Sequence, residues 1–193
     1  MRAISRRSLL RTGVVAGAAA GGGALLRPGV PAASRGSAAL DAKILAFVLG
    51  IERLQQAFYT DALAHAGLTG ELHKFAAAAL DHEREHVGLL THALGSAAPP
   101  ARRFSFGDAT RSPQAFAAAA RELEDVAVLA YNAGAPSLRP ATLAQAGRIV
   151  SVEARHVSWI RDITGFTPAP TATDPVVRPS DVQHRLDRLG FTR

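Results

Sequence analysis

The sequence predicts an all-α protein: four long helices in a bundle, one long crossover between the second and third, and a short fifth helix near the C-terminus. Three observations carry this. Apolar residues recur at helical spacing through most of residues 38–165, and no stretch alternates convincingly at period two. Glycine, proline and capping residues cut that pattern into four long blocks. The connections within each pair of blocks are a few residues long, whereas residues 96–111 separate the pairs.

Each element has its own start and stop. The first helix opens at Ser37 or Asp41, both good caps, and stops at Gly67. The second opens after Thr69 and ends at Gly95. Short connections make antiparallel neighbours, so these two form a hairpin. The crossover holds Pro99, Pro100, Phe104 and Phe106, and is long enough to carry the chain back along the bundle. Ser112 caps the third helix with Pro113 in its first turn, and Gly134 closes it. The fourth runs from Pro140 to Gly165, making the second hairpin. Residues 167–179 read as a tail laid on the surface or left loose, followed by a short helix from Ser180 to near Gly190. The expected division is therefore a leader over 1–33, the bundle over 38–165 and a C-terminal tail with its short helix over 166–193.

Composition removes several classes of function. With no cysteine in 193 residues, disulfide scaffolds, thiolate zinc sites, iron–sulfur clusters and thiol nucleophiles are all excluded. Any metal must be held by His, Asp and Glu. The net charge of +6 would suit nucleic acid, but residues 1–33 carry five arginines and no acidic residue. The remainder has 17 basic side chains against 16 acidic ones, so no nucleic-acid partner is expected.

The leader reads as an address. Ser5-Arg6-Arg7-Ser8-Leu9-Leu10-Arg11 precedes a weakly apolar Ala/Gly/Val run over 13–26 and a small-residue exit near Ala32 or Ala33. It resembles a twin-arginine translocation signal, the bacterial route that exports folded proteins. The resemblance implies export to the periplasm, envelope or exterior, with that translocation machinery as partner. Membrane contact would come only through an uncleaved leader, since the run is too short and glycine-rich to span comfortably.

Glutamate and histidine fall in a repeat across the four helices. The second carries Glu83-x-x-His86 and the fourth Glu153-x-x-His156, a spacing that puts both side chains on one helix face. The first carries Glu52 and the third Glu124, each inside an apolar stripe. Glu52 precedes Glu83 by 31 residues and Glu124 precedes Glu153 by 29. Tyr59 and Tyr131, the only tyrosines, each follow their lone Glu by seven residues, so each shares its face about 10 Å along the axis. Four carboxylates and two neutral imidazoles nearly neutralise two divalent cations, and such donors suit iron or, alternatively, manganese.

Glu, Glu-x-x-His, Glu, Glu-x-x-His over four helices with a crossover resembles the ferritin-like di-metal carboxylate proteins. Within them the chain is most similar to exported ferritin-like domain proteins related to desiccation-associated proteins, through residues 51–59, 82–90 and 151–160. The resemblance implies a ferritin-like bundle holding two iron ions on Glu52, Glu83, His86, Glu124, Glu153 and His156. Glu83 and Glu153 would bridge, and Glu52 and Glu124 would chelate one ion each. It further implies redox chemistry with dioxygen or peroxide, of ferroxidase or peroxidase type, and leaves a homo-oligomer open. Tyr59 and Tyr131 are expected behind the ligands, as hydrogen-bond partners or oxidisable gates. The contrasting class is a non-catalytic bundle that sequesters metal or serves stress protection.

Residues His82-Glu83-Arg84-Glu85-His86 also spell H-E-x-x-H, the zinc protease motif. That alternative requires His82 as a ligand, a third ligand downstream and a sheet beside the helix. No strand is expected, and the twin position is Val152. His82 is expected off the site, about 100° around the helix from Glu83. His65, His73, His92 and His184 are expected on the surface, Trp159 in packing, and Glu85, Glu122 and Asp125 pointing elsewhere.

Overall fold

A computed structural model describes residues 36–191. The leader read as an address lies outside those residues. Among the described residues there are five α-helices: α1 (Ala38–His65), α2 (Gly70–Leu94), α3 (Pro113–Gly134), α4 (Pro140–Ile163) and α5 (Pro179–Leu189). Among the described residues there is no β-strand, only an isolated bridge at Phe104. None of the described helices is long and apolar enough to cross a membrane.

The helix ends follow local chemistry. Ser37 caps α1 by accepting from the Leu40 N–H, and Ser112 caps α3 by accepting from the Ala115 N–H, with Pro113 at the first position. Gly190, at φ 68°, supplies the left-handed residue that ends α5. Asp41, read as a second candidate cap, has a different job. It lies inside the first turn of α1, buried, and accepts from the Arg139 backbone N–H at 3.0 Å, Arg139 Nε at 2.8 Å and the Thr142 hydroxyl. It thereby ties the start of α1 to the start of α4.

Four long helices pack as a bundle. α1 lies against α2 and α3 against α4 as hairpins, while α1 also meets α3 and α2 also meets α4. Cross-helix pairs set the directions. Tyr59 meets Glu124 while Tyr131 meets Glu52, so α1 and α3 run antiparallel. Phe75 packs on Trp159 and His82 on His156, so α2 and α4 are antiparallel too. The crossover, with short 3₁₀ turns at Gly95–Ala97 and Gly107–Thr110, makes this possible by returning the chain before α3 begins. Near the end of α3, a Cβ on Gly134 would stand 2.6 Å from Ile44 Cγ2, so this close approach of α3 to α1 requires glycine.

Residues 167–178 are largely exposed, whereas α5 and Phe191 beyond its end reach the core. Val182 and Leu186 of α5 are buried, and Phe191 stacks on Phe58 at 5.9 Å while its carbonyl accepts from the Ser105 N–H. Phe58, Phe106, Phe116 and Phe191 thus join helix, crossover and tail in one aromatic cluster.

Candidate metal centre

Halfway along the bundle, α1 to α4 each turn one or two polar side chains inward. Glu52, Glu83, Glu124 and Glu153 are each 0% exposed, His86 is 5% and His156 2% exposed. Four fully buried carboxylates are expensive unless charge or hydrogen bonds compensate them. The i, i+3 spacing in α2 and α4 brings each histidine back beside its own glutamate, and the packing then makes the two halves meet.

Two overlapping groups result. One is Glu52, Glu83, His86 and Glu153; the other is Glu83, Glu124, Glu153 and His156. Within each group one potential ligand atom per residue lies within 4.8 Å of all the others. All six sequence-predicted residues therefore converge inside the bundle, and Glu83 and Glu153 belong to both groups.

The donor geometry suits cations better than hydrogen bonds. His86 Nδ1 stands 3.0 Å from Glu153, 3.2 Å from Glu52 and 3.4 Å from Glu83. A single N–H cannot serve three carboxylates. His156 Nδ1 likewise faces Glu83 and Glu124 at 3.4 Å and Glu153 at 3.8 Å. Glu83 Oε1, Glu124 Oε2, Glu153 Oε1 and His156 Nδ1 have no hydrogen-bond partner among the described residues, although all are sealed from solvent. Such orphaned atoms, aimed at one small volume, are what a pair of bound cations would satisfy. The residues fit a di-metal site.

Without cations, protons do the balancing. Burial pushes Glu52 well above the usual carboxylate range, with Glu153 and Glu83 adding repulsion. Burial also raises Glu124, to about 7, against the opposing His156 imidazole and Tyr59 hydroxyl. For His86 burial disfavours charge, but the carboxylates of Glu153, Glu52 and Glu83, which accept from the protonated ring, outweigh it and push the imidazole up to about 12. His156 is raised likewise, Glu124 chief among the carboxylates that overcome burial. Glu153 is held down at about 2, because both histidines overcome the effect of burial.

Both tyrosines stand behind the lone glutamates, but crosswise. Tyr59 on α1 donates to Glu124 on α3, and Tyr131 on α3 donates to Glu52 on α1, the latter at 2.6 Å. Burial and the adjacent carboxylates hold both phenols well above their usual pKa, so each remains a donor.

Two residues at the centre escaped the sequence. Gln55, fully buried one turn beyond Glu52, donates from Nε2 to Glu153 Oε2 at 3.3 Å and leaves its own Oε1 unpartnered. The signal was a polar residue interrupting an apolar stripe. His82 is the correction. It lies outside both ligand groups, as expected, yet it does touch the site: its Nδ1 is 2.8 Å from His156 Nε2. Measured from Glu83 it points away, but it precedes His86 by four residues and so lies only about 40° from that histidine's direction. Partial burial and the neighbouring His156 and His86 lower its pKa, favouring the neutral ring.

The zinc-protease arrangement is not what these elements build. His82 and His86 do not share a ligand group, and no strand flanks α2 among the described residues. The other singled-out residues are peripheral. His65, His73, His92 and His184 are exposed, Glu85 is exposed, Asp125 is paired with Arg161, and Glu122 with Arg185. Trp159 packs edge-on against Phe75, whose ring also stands edge-on to His156.

The family model for a ferritin-like domain matches residues 40–165, which contain all six ligand-type residues. Comparison with curated proteins found no match.

Proposed function

The chain belongs to the ferritin-like family, and on that footing we propose that it is an exported protein binding two iron ions for redox chemistry with dioxygen or peroxide. The observation that carries the reading is the sharing of Glu83 and Glu153 between two buried ligand groups. A single-ion site would need neither the second histidine nor the fourth carboxylate.

Bound iron would supply the electrons for reducing dioxygen or peroxide. The chain's own residues set the conditions for that chemistry. Glu52 and His86 would complete one position and Glu124 and His156 the other, with Glu83 and Glu153 between them. Tyr131 and Tyr59, each a neutral donor, keep one oxygen of Glu52 and of Glu124 engaged and so orient the other. The burial of all four carboxylates keeps bulk water from the ions.

Anaerobic loading with ferrous iron, followed by addition of dioxygen or peroxide, tests the reading. Two ions per chain and stoichiometric oxidant consumption are expected. Iron that stays bound without consuming either oxidant would make the protein a sequestering bundle instead. Protein isolated from its exporting host should carry iron; manganese there would change the metal but not the ligands.

Export by the twin-arginine route is part of the proposal, since that route lets a bundle fill with metal before it crosses the membrane. Support comes from Arg6 and Arg7 with their Ser5, Leu9 and Leu10 flanks. Changing Arg6 and Arg7 together to lysine should trap the protein inside the cell. Unimpaired secretion of that variant would refute the route.

A further inference from the structure

The internal repeat relates Glu52, Glu83 and His86 to Glu124, Glu153 and His156, so the two metal positions would be twins if their surroundings were. They are not. The counterpart of His82 is Val152, and the counterpart of Gln55 is Ala127. Gln55 touches Glu153, which both positions share, and so distinguishes them only weakly. His82 touches one histidine alone. Its ring is nearly coplanar with that of His156 and meets it edge to edge, with planes 6° from parallel, centroids 5.1 Å apart and the facing nitrogens 2.8 Å apart. The valine at 152 has no side-chain atom that could do the same for His86.

We propose that His82 is a positioning residue that makes the two metal positions unequal, so that the Glu124–His156 position takes its divalent cation first and more tightly. This rests on the di-metal reading above. A neutral imidazole carries one N–H, and which nitrogen bears it is decided by the partner of the other. By accepting from His156 Nε2–H, His82 leaves the lone pair on Nδ1, the atom that faces Glu83, Glu124 and Glu153. The hydrogen bond also makes Nδ1 a stronger donor, and its in-plane direction fixes the orientation of the His156 ring. His86 receives no such support from α4. Because His82 is exposed, its removal opens no hole in the core.

Titrating the metal-free full-length protein with cobalt(II), followed by calorimetry and ligand-field absorption, tests this. Two distinct steps are expected for the wild type. His82→Val copies the twin residue and should weaken the tighter step by about 10–100-fold, merging it with the other, and shift the absorption of the first ion bound. His82→Asn places an oxygen where the imidazole Nδ1 stood and should restore the separation in part, which a loss of packing alone would not produce. Two wild-type steps left unchanged by His82→Val would overturn the inference while sparing the di-metal reading. A wild type that binds no second cobalt would overturn both.

Discussion

Glu83→Ala or Glu153→Ala should empty both metal positions, whereas Glu52→Ala or Glu124→Ala should empty only one. The asymmetry follows from membership: Glu83 and Glu153 stand in both ligand groups, and Glu52 and Glu124 in one each. Each position has four protein ligands, so losing Glu52 or Glu124 weakens one position and leaves the other complete, whereas losing a shared carboxylate removes a ligand from both ions at once. It also removes the negative charge that lets two dications lie close together. Elemental analysis after anaerobic loading should fall from about two ions per chain to about none for the shared residues and to about one for the others. Helical circular dichroism checks that each variant is folded. At saturating metal, His82→Ala should keep both ions, because His82 acts through His156 and is not itself in either group. The reverse result, with His82→Ala empty and Glu83→Ala full, would return the site to the zinc-protease arrangement.

Stripping the metal should lower the melting temperature by a large margin. The fold holds four carboxylates at 0% exposure, and the metal-free protein must neutralise them with protons on Glu52 and the two histidines. Cations that bind only the folded chain stabilise it by mass action, about 2.7 kcal/mol for each ion present at 100 times its dissociation constant. Two such ions contribute about 5 kcal/mol, which for a domain of this size corresponds to roughly 10–20 °C. Thermal unfolding with and without chelator measures it, and coincident curves would mean that no structurally coupled metal is bound. The sign of the pH effect follows from the raised histidines. Each ion must displace a proton from an imidazole that holds it tightly, so loading should release protons and weaken as pH falls.

Much of this centre is legible in the chain because its rules are local. The i, i+3 placement of Glu83 with His86 and of Glu153 with His156 needs nothing beyond helix geometry. Repetition of the lone Glu some 30 residues earlier, in two hairpins, turns six residues of two common types into one constellation. The same local rules mislead at Asp41. A good capping residue near a helix start looks like a cap, but Ser37 caps α1 and Asp41 is claimed by Arg139 and Thr142, about 100 residues away. They mislead again at His82, where an angle measured from one neighbour on the same helix misses a partner on another. The tail was too short of apolar pattern to reveal that Val182, Leu186 and Phe191 would reach the core.

The sequence by itself determined the four long helices, their pairing into hairpins and the six ligand-type residues. Capping, glycine and proline signals act within a turn or two, and helical spacing decides which side chains share a face. Tertiary structure alone decided which residues meet across helices. Antiparallel packing of α1 on α3 directs Tyr59 to Glu124 and Tyr131 to Glu52 rather than each to its own helix's glutamate. The packing of α2 on α4 sets His82 against His156, and Gln55 of α1 reaches Glu153 of α4 across the centre of the bundle. These contacts join residues 65 to 98 positions apart. Their geometry depends on the register and rotation of one helix against another, which side-chain packing sets and no local dihedral preference encodes.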